Sequence, residues 1–567
     1  MYSKQQLIDT LKKIDHKSYG MYKTLSGSYH FDSYILHIDH VQGDPFASPS
    51  RVRVEISAQK HQFPSEYLET LPAKTAAEDF LLRQFLREIH RLDRQWSGSG
   101  KSGIISCCHT GAEILRRIAV TFEEKSLQIR FEVGFPAKGR TILADLMKRI
   151  LFETIPSLIE PVFFYPSYTQ KKKDAMRQTY ELCINQTFIQ SYLKDNGYIC
   201  FIANGSILPR ESGVSEKPLK QAVPFQSPPS LEVMIPLPFG APLSGMALKK
   251  GITVITGGGY HGKSTLLKAM ESGVYPHIAK DGREYVITLP DSMKIRAEDG
   301  RHIKDCDISA FMNDLPTKQD TRSFSSVNAS GSASQSANVM EAIYSGTKLL
   351  FIDEDTSATN FMIRDQLISR LVSDEEEPIT PFIKRIRALY EQSGISTVLV
   401  IGSSGDYLRI ADTVLKLSNY HIYDVTKEAH ALCEQWQNNA ESDQTTKAPQ
   451  PISLHSDKCL PAKASIQGKL KTSLTDSVII DRETIDVRYL EQICHSSQTI
   501  GIGYLIVYLL SKPAYLSKNL YQAAEELYHE IENGHYVNYI PKGYPAGQPS
   551  LPRKQELLAA LNRYRSL

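Results

Sequence analysis

Residues 257–265 read Gly257-Gly258-Gly259-Tyr260-His261-Gly262-Lys263-Ser264-Thr265, and their flanks matter as much as their identity. The apolar run Gly251-Ile-Thr-Val-Ile-Thr256 precedes them and Leu266-Leu-Lys-Ala-Met270 follows. This pattern of strand, glycine turn and helix commits the middle of the chain to an α/β layer fold, because a strand must deliver the loop to a helix start. The glycines admit torsions that aim successive N–H groups at a polyphosphate, and the helix N-terminus adds partial positive charge. Lys263 is expected to reach the β- and γ-phosphates and Ser264 to hold Mg²⁺. A second glycine cluster, Gly98-Ser-Gly-Lys-Ser-Gly103, follows a helical pattern rather than a strand and reads as a loop.

Two further segments specify the chemistry. Lys348-Leu-Leu-Phe-Ile-Asp-Glu-Asp355 is an apolar strand ending in carboxylates; it brings Asp353 to the Mg²⁺ shell and places Glu354 as water-orienting residue or base. Upstream, Asn328-Ala-Ser-Gly-Ser-Ala-Ser-Gln335 precedes a helical pattern. A small-residue loop at a helix start is a second anion site, with Ser330, Gly331 and Ser332 as donors.

The order of phosphate loop, Ser-Gly-Ser signature, Asp-Glu strand and Asp355-Thr-Ser-Ala-Thr-Asn360 resembles the ATP-binding-cassette class. The whole chain resembles the predicted ATPases of the ABC class, through Gly134-Phe-Pro-Ala-Lys-Gly-Arg140, Leu208-Pro-Arg-Glu-Ser-Gly213, Asp281-Gly-Arg-Glu284, Ile295–Arg301 and Glu377-Pro-Ile-Thr-Pro381 as well. The resemblance implies an ABC-type P-loop ATPase core that uses ATP and Mg²⁺, with a family-specific N-terminal domain. It also implies a head-to-tail homodimer, since in cassettes the phosphate loop and signature of one chain face apart and a complete site needs two chains. Two departures stand out. The strand Ser396–Ile401 runs into Gly402-Ser-Ser-Gly-Asp406 with no histidine at the switch position, leaving Ser403, Ser404 or Asp406 to contact the γ-phosphate or attacking water, or the loop as an ordinary turn. The signature reads Ser-Gly-Ser-Ala rather than Ser-Gly-Gly-Gln. Only some 65 residues separate the phosphate loop from Ser330, which argues against a transporter subunit.

Length and punctuation divide the 567 residues into an α+β domain at 1–210, the ATPase core at 211–430, a flexible linker at 431–476 and a small helical domain at 477–567. Phe225 or Phe239 is a candidate for stacking on adenine. Eight cysteines without metal spacing read as reduced thiols. No apolar run approaches the roughly 20 residues of a membrane span, and the expectation is a cytoplasmic protein that does not meet a membrane.

Net charge is only +2, yet residues 81–180 hold 17 Lys and Arg against 10 Asp and Glu. Arg83, Arg87, Arg91 and Arg94 recur at helical steps, and Lys171, Lys172 and Lys173 form a second cluster. Such runs are either solvated faces or phosphate-backbone contacts. The second reading makes RNA, or else DNA, the partner; a nucleotide-gated protein-binding switch is the alternative.

Overall fold

The segment Ser50–Ser57 is apolar at every second position and forms the strand that this period demands, with Val52, Val54 and Ile56 buried. In the computed structural model, which describes residues 1–92, 98–365, 368, 371–373, 376–437, 452–462, 466, 469–540 and 547–566, it pairs antiparallel with Ile35–His40 and with Ser126–Val133. These strands centre a seven-stranded sheet. Helices Leu71–His90 and Ile155–Phe163 add Leu81, Phe85, Leu158 and Ile159 to its core beside Val54, Ile129 and Phe131.

The chain divides into two compact units, Met1–Ile184 with His535–Leu551, and Asn185–Gly534 with Pro552–Leu567. Backbone pairing ties the returning tail into the first unit. The Leu551 amide donates to Arg116 O at 2.8 Å, and Gly547, at φ +103, lies so close to Arg130 O that a Cβ would approach to 2.9 Å. The cluster Gly98–Gly103 is a clasp inside this unit: Ser99 N–H donates to Ala137 O at 2.7 Å and Gly103 N–H to Gly134 O at 2.7 Å. Its amides serve the chain's own carbonyls, as the loop reading requires.

In the second unit a six-stranded sheet runs in the order Met293–Ile295, Leu349–Asp353, Ser396–Val400, Ile252–Gly257, Thr413–Ser418, His421–Asp424, parallel except for the last strand. Its strands are apolar on both faces. Leu350 and Ile352 enter the core that holds helix Gly331–Tyr344, while Leu349 and Phe351 enter the core of helix Lys263–Ser272, as the two-residue period dictates. A four-stranded antiparallel sheet (Glu232–Ile235, Leu243–Lys249, Tyr198–Ala203, Val286–Thr288) belongs to that second core.

The 431–476 stretch is no free linker throughout. Helix Thr426–Gln437 opens it and strand Leu470–Ser473 lies near its end. Between them Lys458 is buried with its ammonium on Lys304 O (3.0 Å) and Asn562 Oδ1 (3.1 Å). The C-terminal region is not helical alone: Leu470–Ser473, Ser477–Ile480 and Glu483–Asp486 form a three-stranded meander before helices Ser496–Ser511, Leu520–Asn533 and Lys554–Asn562. Among the described residues no helix is long and apolar enough to cross a membrane.

Candidate nucleotide-binding site

Strand Ile252–Gly257 and helix Lys263–Ser272 hold the glycine loop between them. Gly257, at φ +140, passes so near Leu417 O that a Cβ would come to 2.3 Å, and Gly262, at φ +99, caps the helix. Tyr260 holds φ +63 without being glycine and is fully exposed, a conformation that costs energy and concentrates at ligand loops. Lys263 Nζ donates to Gly257 O (2.6 Å) and Gly258 O (2.9 Å), neutral acceptors that a phosphate oxygen outcompetes. His261 Nδ1 accepts the Asn419 amide at 2.7 Å, which puts the ring proton on Nε2 and ties the loop to the turn after Thr413–Ser418.

Beside the loop opens a cavity of about 310 Å³, lined by His261, Gly262, Thr265, Leu417, Tyr420 and Phe225 among others. An apolar hollow next to phosphate donors suits a nucleobase. Phe225 lines it and Phe239 does not; the Phe239 amide is bound to Asn185 Oδ1 at 3.0 Å. Its roof comes from residues 208–225, braced by Arg210 on Asp281 (2.8 Å), by His277 on the same carboxylate (2.8 Å) and by Arg283 Nε on Leu208 O (2.9 Å). Two motifs that carry the family resemblance, at 208–213 and 281–284, are thus scaffolding for this roof.

Asp353 ends the strand Leu349–Asp353, whose neighbour Ser396–Val400 separates it from the phosphate-loop strand. Burial pushes its carboxyl up, with the Lys294 ammonium partly opposing. A carboxylate such as Asp353 and a hydroxyl such as Ser264 are hard oxygen donors, the type that fits Mg²⁺. Among the described residues no group of three or more His, Cys, Asp or Glu is arranged to hold a metal.

Glu354 follows, and the loop after Ser396–Val400 closes on it. Oε2 accepts the Gly402 amide (2.5 Å) and the Ser403 amide (3.0 Å); Oε1 accepts the Ser403 hydroxyl (2.7 Å) and the Ser404 hydroxyl (2.5 Å). Burial raises the carboxyl's pKa, but these four donors outweigh it and bring it down to about 2. The two serines are therefore engaged with the carboxylate, a partner that neither sequence reading, contact with phosphate or water or an ordinary turn, names. Asp406 does not join them; it lines the cleft beyond.

Ser330 caps helix Gly331–Tyr344, its oxygen taking the Ala333 amide at 3.4 Å. Gly331 has Asp299 Oδ1 3.0 Å from the position of a Cβ. The Ser332 hydroxyl donates to Asn360 Oδ1 at 2.5 Å, so its side chain is spent internally. Gln335 ties the helix to the segment after Glu354 through Ser357 Oγ (2.9 Å) and the Ala358 amide (2.8 Å).

Sequence reasoning missed the reach of Tyr489–Gln492 into this core. Gln492 Oε1 accepts the Lys294 amide at 3.0 Å, and Glu491 pairs with Arg296 at 2.8 Å. Arg296 follows the strand Met293–Ile295 that pairs with Leu349–Asp353. No spacing rule links positions almost 200 apart, and only the buried Lys294, polar inside an apolar strand, hinted at a partner.

Three family models cover this architecture: the N-terminal model of the ATPases of the ABC class at residues 4–166, the P-loop domain of the same ATPases at 172–452, and the MRB1590 C-terminal domain at 469–567. The chain belongs to the ABC-class P-loop ATPases. This ABC-class ATPase is 33% identical over 248 residues to the uncharacterized protein MJ1628 of Methanocaldococcus jannaschii, covering 42% of the present chain and 54% of the other. It thus spans about half the length of the curated relative it matches. CbiO1 from Clostridium perfringens, part of the ABC transporter complex cbiONQ, overlaps 43% of the chain and 94% of its own at 14% identity and a TM-score of 0.27.

The basic residues of the ABC-class ATPase's first unit do not form one stripe. Arg83 turns inward to Asp79 (2.5 Å), Gly111 O (2.7 Å) and Glu113 O (3.1 Å). Arg87 is exposed, Arg91 pairs with Glu88 at 2.7 Å, and Arg94 lies outside the described residues. Lys171 is exposed. Lys172 sits 4.0 Å above the Tyr168 ring and binds Pro161 O, and burial pushes it down to about 8; Lys173 lies 5.1 Å from the Tyr165 ring.

Proposed function

We propose that this ABC-class ATPase binds ATP with Mg²⁺ and hydrolyses it in the cytoplasm at composite sites of a head-to-tail homodimer. The observation that carries this reading is the delivery of Asp353 and Glu354 two strands from the phosphate loop, while Ser330 heads a separate helix. Lys263 and the amides of 258–264 hold the β- and γ-phosphates, Ser264 and Asp353 hold the metal, and Glu354 orients water. When bound, Mg²⁺ offsets charge on the phosphate oxygens. Ser330 and the amides of Gly331 and Ser332 belong to the partner's γ-phosphate. Opening and closing of the dimer moves the N-terminal domains, which bind nucleic acid, RNA foremost, through Arg87, Arg91, Lys171 and Lys173. The inward Arg83 and the tucked Lys172 thin that surface, and they favour a second reading in which the ATPase is a nucleotide-gated switch for a protein partner.

The test of the composite site is complementation. Ser330→Arg and Lys263→Ala are each expected to be inactive alone, and mixing them is expected to restore about a quarter to a half of wild-type turnover, since each heterodimer regains one intact site. Heterodimers that form and stay inactive overturn the assignment in trans. Binding of the full chain to mixed RNA and DNA oligonucleotides at two salt concentrations separates the partner readings.

A further inference from the structure

The four donors on Glu354 fill it. A carboxylate offers about four lone-pair positions, and here two amides occupy Oε2 and two hydroxyls occupy Oε1. No position is left to accept a hydrogen from an attacking water. The amides belong to the backbone of Gly402 and Ser403 and are fixed by the loop, whereas a hydroxyl leaves by turning one torsion. There is space for it to turn: Ser403 and Ser404 also line an open cleft of about 630 Å³ with Thr359, Asp365, Asp406 and Arg409. Gly402 lies next to Glu354 with room to spare, since a Cβ there would stand 3.8 Å from Oε2; the lock is therefore the hydrogen bonds and not steric crowding.

We infer that Ser403 and Ser404 are positioning residues that hold Glu354 closed in the resting protein, and that hydrolysis requires at least one of their hydroxyls to leave Oε1. The γ-phosphate is the natural competitor, because its oxygens carry more negative charge than a carboxylate oxygen already sharing several donors. A hydroxyl drawn to phosphate frees one lone-pair position on Glu354 for water. Arrival of substrate and readiness of the water-orienting residue are then one event, performed by two serines where cassettes carry a histidine. This inference rests on the proposed ATP hydrolysis and adds the residues that gate it.

The experiment is steady-state ATP hydrolysis by the full-length protein carrying Ser403→Ala with Ser404→Ala. Removing the two hydroxyl hydrogen bonds, at least one of which must break, is expected to raise kcat about three- to tenfold, at a KM within about twofold of wild type. Each single variant gives a smaller rise, which keeps the test intact if the double variant fails to fold. Ser403→Thr with Ser404→Thr restores hydroxyls and returns kcat toward the wild-type value. In a Glu354→Gln background the gain disappears. A kcat that stays level or falls in the alanine variants, with ATP binding intact, overturns the inference and leaves the ATPase reading standing. Wild-type protein that binds no ATP removes that reading, and the inference falls with it.

Discussion

The phosphate loop and the basic helix Leu71–His90 are both periodic patterns legible at a glance, and they fared differently because they are made of different material. The loop's function is carried by backbone: Gly257 and Gly262 fix torsions that no neighbour can redirect, and the amides point where the chain path sends them. The arginines are long side chains on a rigid helix, and a buried acid one turn away is enough to recruit one. Arg83 answers Asp79 while Arg87, one turn on, stays exposed. A motif written in backbone geometry keeps its meaning through folding; a motif written in charge is open to claims from the interior.

One effect sharpening this contrast is expected at Lys263. Lys263→Ala leaves the loop's path unchanged, because the ammonium touches only the carbonyls of Gly257 and Gly258. It is expected to abolish the ATP-induced thermal stabilisation, which for wild type amounts to about 2.7 kcal/mol at 100 times Kd. A variant that is still stabilised by ATP and Mg²⁺ breaks the comparison on its strong side.

On the weaker side, Asp79→Asn strands Arg83 and the buried Arg117, which shares the same carboxylate at 2.8 Å, and is expected to cost about 3–5 kcal/mol. Arg87→Glu with Arg91→Glu stays within about 0.5 kcal/mol and lowers the log–log salt slope of nucleic-acid binding by about two. Hydrogen exchange in Leu71–His90 and filter binding of the full chain measure the two. Equal destabilisation by both variants erases the distinction between inward and outward arginines.

A pH dependence lies one residue away, at Glu78. Glu78 is buried and accepts the Phe122 amide at 2.8 Å. Burial pushes its carboxyl up to about 7, against the pull of that amide and of Lys74. Its folded pKa lies above the unfolded value of about 4.3, so the folded state holds the extra proton between those values. The stability this contributes is complete below about pH 4.3 and is lost as pH rises to about 7. Glu78→Gln keeps the acceptor and removes the loss, so protection of the Leu71–His90 amides is expected to exceed wild type by about 3–4 kcal/mol at pH 8 and to match it near pH 4.

What was legible follows the same division. The strand–loop–helix at 252–272, the Asp353–Glu354 strand end and the Ser330 cap all depend on short-range spacing, which a sequence displays directly. The Glu354 lock was half visible: the missing histidine and the serines stand in the text, but their target is set by the adjacency of two parallel strands 47 positions apart in register, Leu349 to Ser396. The cavity roof and the Glu491–Arg296 pair were invisible, since they join segments whose separation no pattern encodes. The C-terminal meander was missed because its strands are four residues each, too short to show a period.

The returning tail has a consequence for how this protein comes into being. Leu551 donates to Arg116, and Gly547 packs on Arg130, so the first unit lacks these contacts until its returning segment has been made. During synthesis the N-terminal chain waits, near-complete and with backbone groups unmet, while the whole nucleotide-binding unit is made and folds. At the usual pace of about 5–20 residues per second, that wait lasts on the order of 20–70 seconds. A fragment ending near Ile184 leaves the Arg116 carbonyl and the Arg130 backbone without the tail that meets them in the full chain.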